Sequence, residues 1–489
     1  MQPQNYISIP NKPRAPTAAD ERRWMHSAMR RRMIEGTFEK DLEDEMLRHF
    51  DQSRFLAIGP PDMSSNVLEQ ICRQLSNLYT SPPTILHQED ISELTSADGL
   101  IPKSGLYALL QRLQVLTLAL RECFIRIDIV PDAVQQLMLP KLQYRIVTPD
   151  FVYVQCADDA PDIPIYYQEL RLREDPRDNA AKYVADIFDI RDPQNPRFAM
   201  HEVQPDGQLG EDVTKIYTGH AAKTGKEYPY FSAEGQPFLP VEVYRAQKSG
   251  KMWNAFDGST LAYGSLVSSC LMSWWVHCVR DCSYPQRYIA GLGVTGLEQR
   301  DGNEIGRRAT ISTDPSSILM FYQDPDTNGQ PLVGQFQAGA DPQKMLESIS
   351  MYEYRVCVSA GLTTGSAIRT SGDPRSGYSL SVSREGMREA SRTFSNVFRL
   401  HDLSLLSKTA MMCNRFLGTS LPEDGYRIQY TRLPLSNEEM KEQRADIIEK
   451  IAAGLISPVQ AMQMMHPDLD DEGARQMLLK IKRERAEYM

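Results

Sequence analysis

DPQKMLESISMYEYRVCVSAG at 341–361, LTTGSAIRTSGDPRSGY at 362–378 and SLSVSREGMREASRTFSNVFRLHDLSLLSKTAMMCNRFLG at 379–418 decide how this chain is organised. The first segment reads as a helix. Asp341 is a capping residue, Pro342 suits the first helical position, and Met345, Ile349, Tyr352 and Val356 recur on one face. Gly361 is placed to end it. The second segment is rich in Gly, Ser and Thr and reads as a loop. The third is helical in pattern from Ser379 to Leu417, with Met387, Phe394, Val397, His401, Leu405, Met412 and Phe416 near one face and no proline. At ~1.5 Å per residue this helix is roughly 55–60 Å long. That length suits an elongated subunit, or one packed against copies of itself.

Working outward toward the N-terminus, 285–340 offers short strands and turns: RYIAGLGV, RRATIS, ILMFYQD and PLVGQF. Before it, Asp257 to Cys282 reads as a helix, and from Gly258 to Val279 it holds no Asp, Glu, Lys or Arg. The length would span a bilayer, but Gly264, Ser265, Ser268, Ser269, Ser273 and His277 dilute its apolar character. A buried or subunit-packed helix is the preferred reading; membrane association through 258–279 is the alternative. A small β module between two helices would protrude from the body on a two-helix stalk.

Further back, 143–250 alternates with β-branched and aromatic residues, as in YRIVTPDFVYVQC, IPIYYQELRLRED and KYVADIFDI, separated by DPRDN, DPQNP and PDGQ turns. Met63 to Tyr79 and Ser104 to Arg121 read as amphipathic helices, the latter running on as GLYALLQRLQVLTLALRECF. Ala18 to Phe55 reads as one helical stretch of dense mixed charge. Its Arg30, Arg31 and Arg32 are read as a solvated, ion-paired face. Residues 1–17 are expected to form an extended arm. After Gly418, YRIQYTRL reads as a strand. Three helices follow: one with capping-box spacing at Ser436 and Glu439, ended by Gly454; one begun by Ser457 and Pro458; and one capped by Asp470.

Composition narrows the function. The chain has 489 residues, which allows two to four domains, and a formal net charge of −10. That charge argues against gripping nucleic acid through a general basic surface, yet it suits one past which nucleic acid slides. Eight scattered cysteines and the polar, proline-rich MQPQNYISIPNKPRAP point to reduced thiols in a cytosol-like compartment.

Chemical motifs are sparse. Gly291-Leu-Gly293-Val-Thr-Gly296 matches the spacing of a dinucleotide fingerprint, but LEQRDGNEIG after it breaks any helix, so a glycine-rich β-turn is preferred over a nucleotide-binding enzyme. His277, Cys278 and Cys282 share a helix without paired CxxC knuckles or an added His pair. Buried thiols are preferred there over a metal site. There is no P-loop ending in 362–378, no G-x-S-x-G elbow and no HExxH, so nothing supports an enzyme and no cofactor is expected. Arg384, Arg388 and Arg392 form a basic stripe beside Glu385 and Glu389, read first as helix or subunit ion pairs and second as contacts to a phosphate backbone.

In MYEYRVCVSAGLTTGSAIRTSGDPRSGYSLSVSREGMREASRTF a helix ending in AGL meets a loop and then an SGYS start to the long helix. In LPLSNEEMKEQRADIIEKIAAGLISPVQAMQMMHPDLDDEGARQMLLKIKRE an apolar GLIS turn precedes short helices. Taken with the order of parts, these stretches resemble the portal protein, the head–tail connector, of tailed bacteriophages. The likeness is firmest over 341–489, lesser over 257–340 and architectural over 1–256.

The resemblance implies an α+β portal-like fold divided as follows: arm 1–24, wing 25–256, first stem helix 257–284, clip 285–340, second stem helix 341–361, tunnel loop 362–378, long wing helix 379–420 and crown 421–489. It implies a homo-oligomeric ring, usually of twelve subunits, at one capsid vertex of the virion, assembled in the host cytoplasm. The ring would be a channel for double-stranded DNA during packaging and ejection. It would meet the large terminase, the head–tail adaptor, and the major capsid and scaffolding proteins, with no membrane. Arg369 and Arg375 in the tunnel loop, with Arg384 and Arg388 beyond it, become the DNA-channel candidates. Leu266, Trp274, Trp275, Ile349 and Val356 become the subunit-packing residues of the stem.

Overall fold

A computed structural model describes residues 17–48, 60–129, 142–205, 207–248, 250–253, 259–283, 286–290, 318–321, 332–336, 339, 341–359, 377–431, 437–465 and 471–487. The fold is mixed, α+β. Helix α1 (Ala18–Glu35) opens with a capping box in which Thr17 Oγ1 accepts from Asp20 N and Asp20 accepts from Thr17 N. It therefore begins inside the segment assigned to the arm. The expected continuous helix from Ala18 is broken: Gly36, at φ 72°, ends α1, and α2 (Glu39–Leu47) restarts at a new angle. Helix α3 (Val67–Leu75) is shorter than its sequence pattern, because Asn66 caps it by accepting from Glu69 N. Strand β1 (Thr84–Leu86) precedes α4 (Leu106–Leu120), which is nearly all apolar and largely buried.

The switch to β structure comes earlier than the sequence reading placed it. Arg121 adopts φ 72°, and β2 (Glu122–Ile129) starts at once, so the ECF that extended the α4 pattern belongs to a strand. β2 is the middle of a three-stranded antiparallel sheet, between β3 (Leu142–Val147) and a later strand. β4 (Val152–Cys156), β5 (Pro164–Glu174), β6 (Ala181–Asp189), β7 (Arg197–Val203) and β8 (Leu209–Asp212) then form a meander, with Lys223–Thr224 also pairing on β7. β9 (Val241–Arg245) returns to pair with β2.

Two cores result. One gathers Met33, Phe38, Leu42, Ile71, Leu113 and Leu116 between the N-terminal helices. The other fills the space between the sheets with Phe124, Tyr167, Phe188, Phe198 and Tyr228. At the sheet junction, buried Arg126 of β2 meets Glu169 of β5 at 3.1 Å and Asp186 of β6 at 2.7 Å, and Arg173 adds a 2.8 Å contact to Asp186. Burial opposes the Arg126 charge, but Asp128, Asp186 and Glu169 outweigh it and raise its pKa well above normal. Leaving either carboxylate without its arginine would strand a buried charge, at a cost of ~3–5 kcal/mol.

The remaining elements follow the predicted order. Helix α5 (Ser259–Ser283) leads to β10 (Gln286–Ala290), which pairs in parallel with β11 (Ile318–Phe321) and antiparallel with β12 (Leu332–Phe336). RRATIS at 307–312 lies outside the described residues. Tyr288 lies across Gly334, where a Cβ would come within 2.6 Å of the ring. Helix α6 (Pro342–Ser359) returns alongside α5. Helix α7 (Gly377–Leu417) runs 41 residues, about 60 Å. Strand β13 (Arg427–Gln429) pairs with β1, a contact between distant parts of the chain. α8 (Asn437–Ala452), α9 (Pro458–Met465) and α10 (Asp471–Glu487) complete it. Gly454 (φ 70°) ends α8, and Ser457 with Gln460 closes a capping box on α9. Gly361, Ser436 and Asp470 lie outside the described residues.

Candidate functional site

The site that the sequence singles out is the α5–α6 hairpin and the long α7 that follows it. α5 and α6 are antiparallel: Trp275 Nε1 donates to Pro342 O at 2.8 Å, and Gly264 lies against Val356 near the other end.

The serines explain why a helix can lack charge without being a membrane span. Ser265 Oγ accepts from Leu68 N at 3.0 Å, Ser269 Oγ donates to Ser65 O at 2.9 Å, and Ser273 Oγ accepts from Asp62 N at 2.8 Å. Ser268 donates to Glu353 of α6 at 2.6 Å, and Ser65 reaches the same carboxylate. All four serines are fully buried. Ser265, Ser269 and Ser273, four apart, form one seam that binds the 62–68 backbone and seats α3, while Ser268 turns to α6. Among the described residues, no helix is long and apolar enough to cross a membrane.

The expected stem residues divide in two. Leu266, Ile349 and Val356 are 3%, 2% and 5% exposed within a single chain, so they hold the hairpin together and its body contacts, and are not available to a neighbour. This corrects the expectation that they pack between subunits: the close α5–α6 approach at Gly264 covers Val356, and core residues of the body cover Leu266. Trp274 and Trp275 are half-buried. The apolar side chains that the hairpin leaves outward are Val276, Leu346, Met351 and Val358, with Met351 55% exposed.

α7 is fixed to the body by polar clusters. Glu242 of β9 accepts from Ser404 Oγ at 2.6 Å and Lys408 Nζ at 2.7 Å, and lies 3.1 Å from His401 Nδ1. Burial opposes its ionisation, but Lys408 and His401 overcome that and lower its pKa to about 2. One residue along, buried Asp402 receives the hydroxyls of Tyr79 (2.8 Å), Tyr244 (2.6 Å) and Tyr430 (2.5 Å). Burial raises the Asp402 pKa despite these three donors. Periodicity could not find Asp402 or Thr409, because both are polar residues in the buried stripe of α7. Phe416, expected on that stripe, is instead 42% exposed.

The arginine candidates fall mostly beyond description. Arg369 and Arg375, and the Gly291–Gly296 motif, lie outside the described residues. Arg384 sits in the first turns of α7, and Arg388, one turn on, is half-buried. In the N-terminal triplet, Arg31 pairs with Asp150 and Glu35, and Arg32 with Asp41, but Arg30 is not solvated: it is 2% exposed, and burial lowers its pKa to about 10. Cys278 and Cys282 are half-buried rather than buried. Among the described residues, no group of three or more His, Cys, Asp or Glu is arranged to hold a metal ion. A hollow of about 640 Å³ between α1, α3 and α4 is lined by Ile34, Glu35, Arg73, Gln111, Arg112 and Leu116. Its one carboxylate, Glu35, is engaged by Arg31 at 2.9 Å.

No family model matches the chain, and no curated protein is significantly similar to it. The described residues define an α+β protein in which two antiparallel helices bracket a small three-stranded sheet.

Proposed function

We propose that this chain is a phage portal subunit, forming a ring at the unique capsid vertex. In this reading the ring is the channel for packaging and ejecting double-stranded DNA, and the platform for the large terminase and the head–tail adaptor. It is a structural conduit rather than an enzyme. The observation that carries the reading is the chain order: a mixed body, α5 going out, a three-stranded sheet, α6 coming back along α5, and then a 41-residue helix. In this reading the same order corresponds to a wing, a stem, a clip and a long wing helix, with α8–α10 as crown.

The physical chemistry supports it. A channel for a polyanion must not bind it strongly, and a subunit of net charge −10 repeated around a ring gives a weakly repelling wall. A few cationic points, Arg369 and Arg375 first, would centre the duplex. Val276, Leu346, Met351 and Val358 give the hairpin an apolar outer surface that a neighbouring copy would cover.

The test is the double variant Met351→Asp, Val358→Asp. Both side chains are outward, so the folded chain should keep its far-UV spectrum and lose higher-order assembly. Assembly unchanged by two charges on that face would remove the stem from the subunit interface.

A further inference from the structure

We propose that Cys278 and Cys282 form a two-thiolate clip for a soft, thiophilic metal ion such as Cu(I). The two Sγ atoms lie 4.0 Å apart on the last two turns of α5, and both residues are half-buried.

Geometry separates a metal clip from a disulfide. Residues four apart on a helix hold their Cβ atoms about 5–6 Å apart. A disulfide needs about 3.5–4.5 Å, so an S–S bond here would require the helix to unwind. A bridging ion needs no such change. With metal–sulfur bonds of about 2.3 Å, sulfurs at this separation subtend roughly 120° at the ion, and widening by about 0.6 Å makes the arrangement linear. Structural zinc takes four protein ligands, and no such group is present among the described residues. Thiolates select soft ions, and two of them alone suit an ion of low coordination number. On binding, both S–H bonds break, two protons pass to solvent and two S–Cu bonds form, with copper remaining Cu(I).

The experiment is anaerobic titration of the full-length, reduced protein with Cu(I) against the chromogenic chelator bicinchoninate. One Cu(I) per chain should be withdrawn from the chelator. Cys278→Ser and Cys282→Ser should each weaken binding at least tenfold, while Cys156→Ser leaves it unchanged. No withdrawal of Cu(I), equal loss in Cys156→Ser, or no loss in either single variant would overturn the proposal. So would a Cys278–Cys282 disulfide, found by peptide mass mapping after mild diamide treatment.

Discussion

Gly264 of α5 and Val356 of α6 are in direct contact: a Cβ on Gly264 would lie 2.8 Å from Val356 Cγ2 and 3.3 Å from Cγ1. The two helices are therefore in close contact at this point, with no room for a side chain on Gly264.

Gly264→Leu should force the helices apart and destabilise the protein by at least about 2 kcal/mol, as overpacking of a close contact does. Gly264→Ala should lose less. Thermal melting of both variants measures the order; equal melting temperatures for the two and wild type would mean that the helices part without cost.

Asp402 is the acceptor for three buried tyrosines on separate elements, so its loss should exceed that of any one donor. Asp402→Leu leaves three hydroxyls without their acceptor, each worth ~1–3 kcal/mol, whereas Tyr79→Phe removes a single donor. Denaturant midpoints compare them. A smaller effect for Asp402→Leu than for Tyr79→Phe would show that α7 is not anchored through this carboxylate.

Glu122 should make stability fall as pH rises. It is 2% exposed and accepts from Trp253 N at 2.9 and 3.2 Å. Burial raises its pKa from 4.5 to about 7, although Trp253 N–H, Arg245, Arg23 and Arg121 pull the other way. Between those two values the folded chain keeps a proton that the unfolded chain has released, so stability declines through that window and is level above it. Glu122→Gln keeps an acceptor for Trp253 N–H and removes the titration. It should be more stable than wild type at pH 8, by up to roughly 3 kcal/mol, and converge with it in acid. A variant less stable than wild type at pH 8 would reverse the assignment.

Sequence periodicity located α5, α6 and α7 nearly to the residue, because each is a long helix with clear ends. It located β3 to β6 from alternation and turn residues. It missed β2, where an apolar helix turns into an apolar strand at Arg121 with no polar linker between them. It found β13 in YRIQYTRL but missed β1 and the pairing between them, because the two strands are remote in sequence. Arg30, Asp402 and the four serines of α5 were misread or unseen for one reason: polar side chains count as surface until their distant partners are known. The hairpin's outward apolar residues were hidden likewise, since sequence shows which residues are apolar but not which of them the chain itself covers.

If the chain is a portal subunit as proposed, Arg369→Ala with Arg375→Ala should leave assembly intact and reduce DNA packaging or retention, because two positive charges that would attract the duplex are removed. Packaging efficiency in a reconstituted head is the readout, and unchanged packaging would mean that these arginines do not meet DNA.

The central claim is the ring. Light scattering on the purified full-length protein, with symmetry counted in negative-stain images of the same sample, tests it most directly. A closed annular particle is expected, with twelve copies and a central channel wide enough for duplex DNA. A monodisperse monomer that persists as concentration is raised, with no annular particles on the grid, would contradict it.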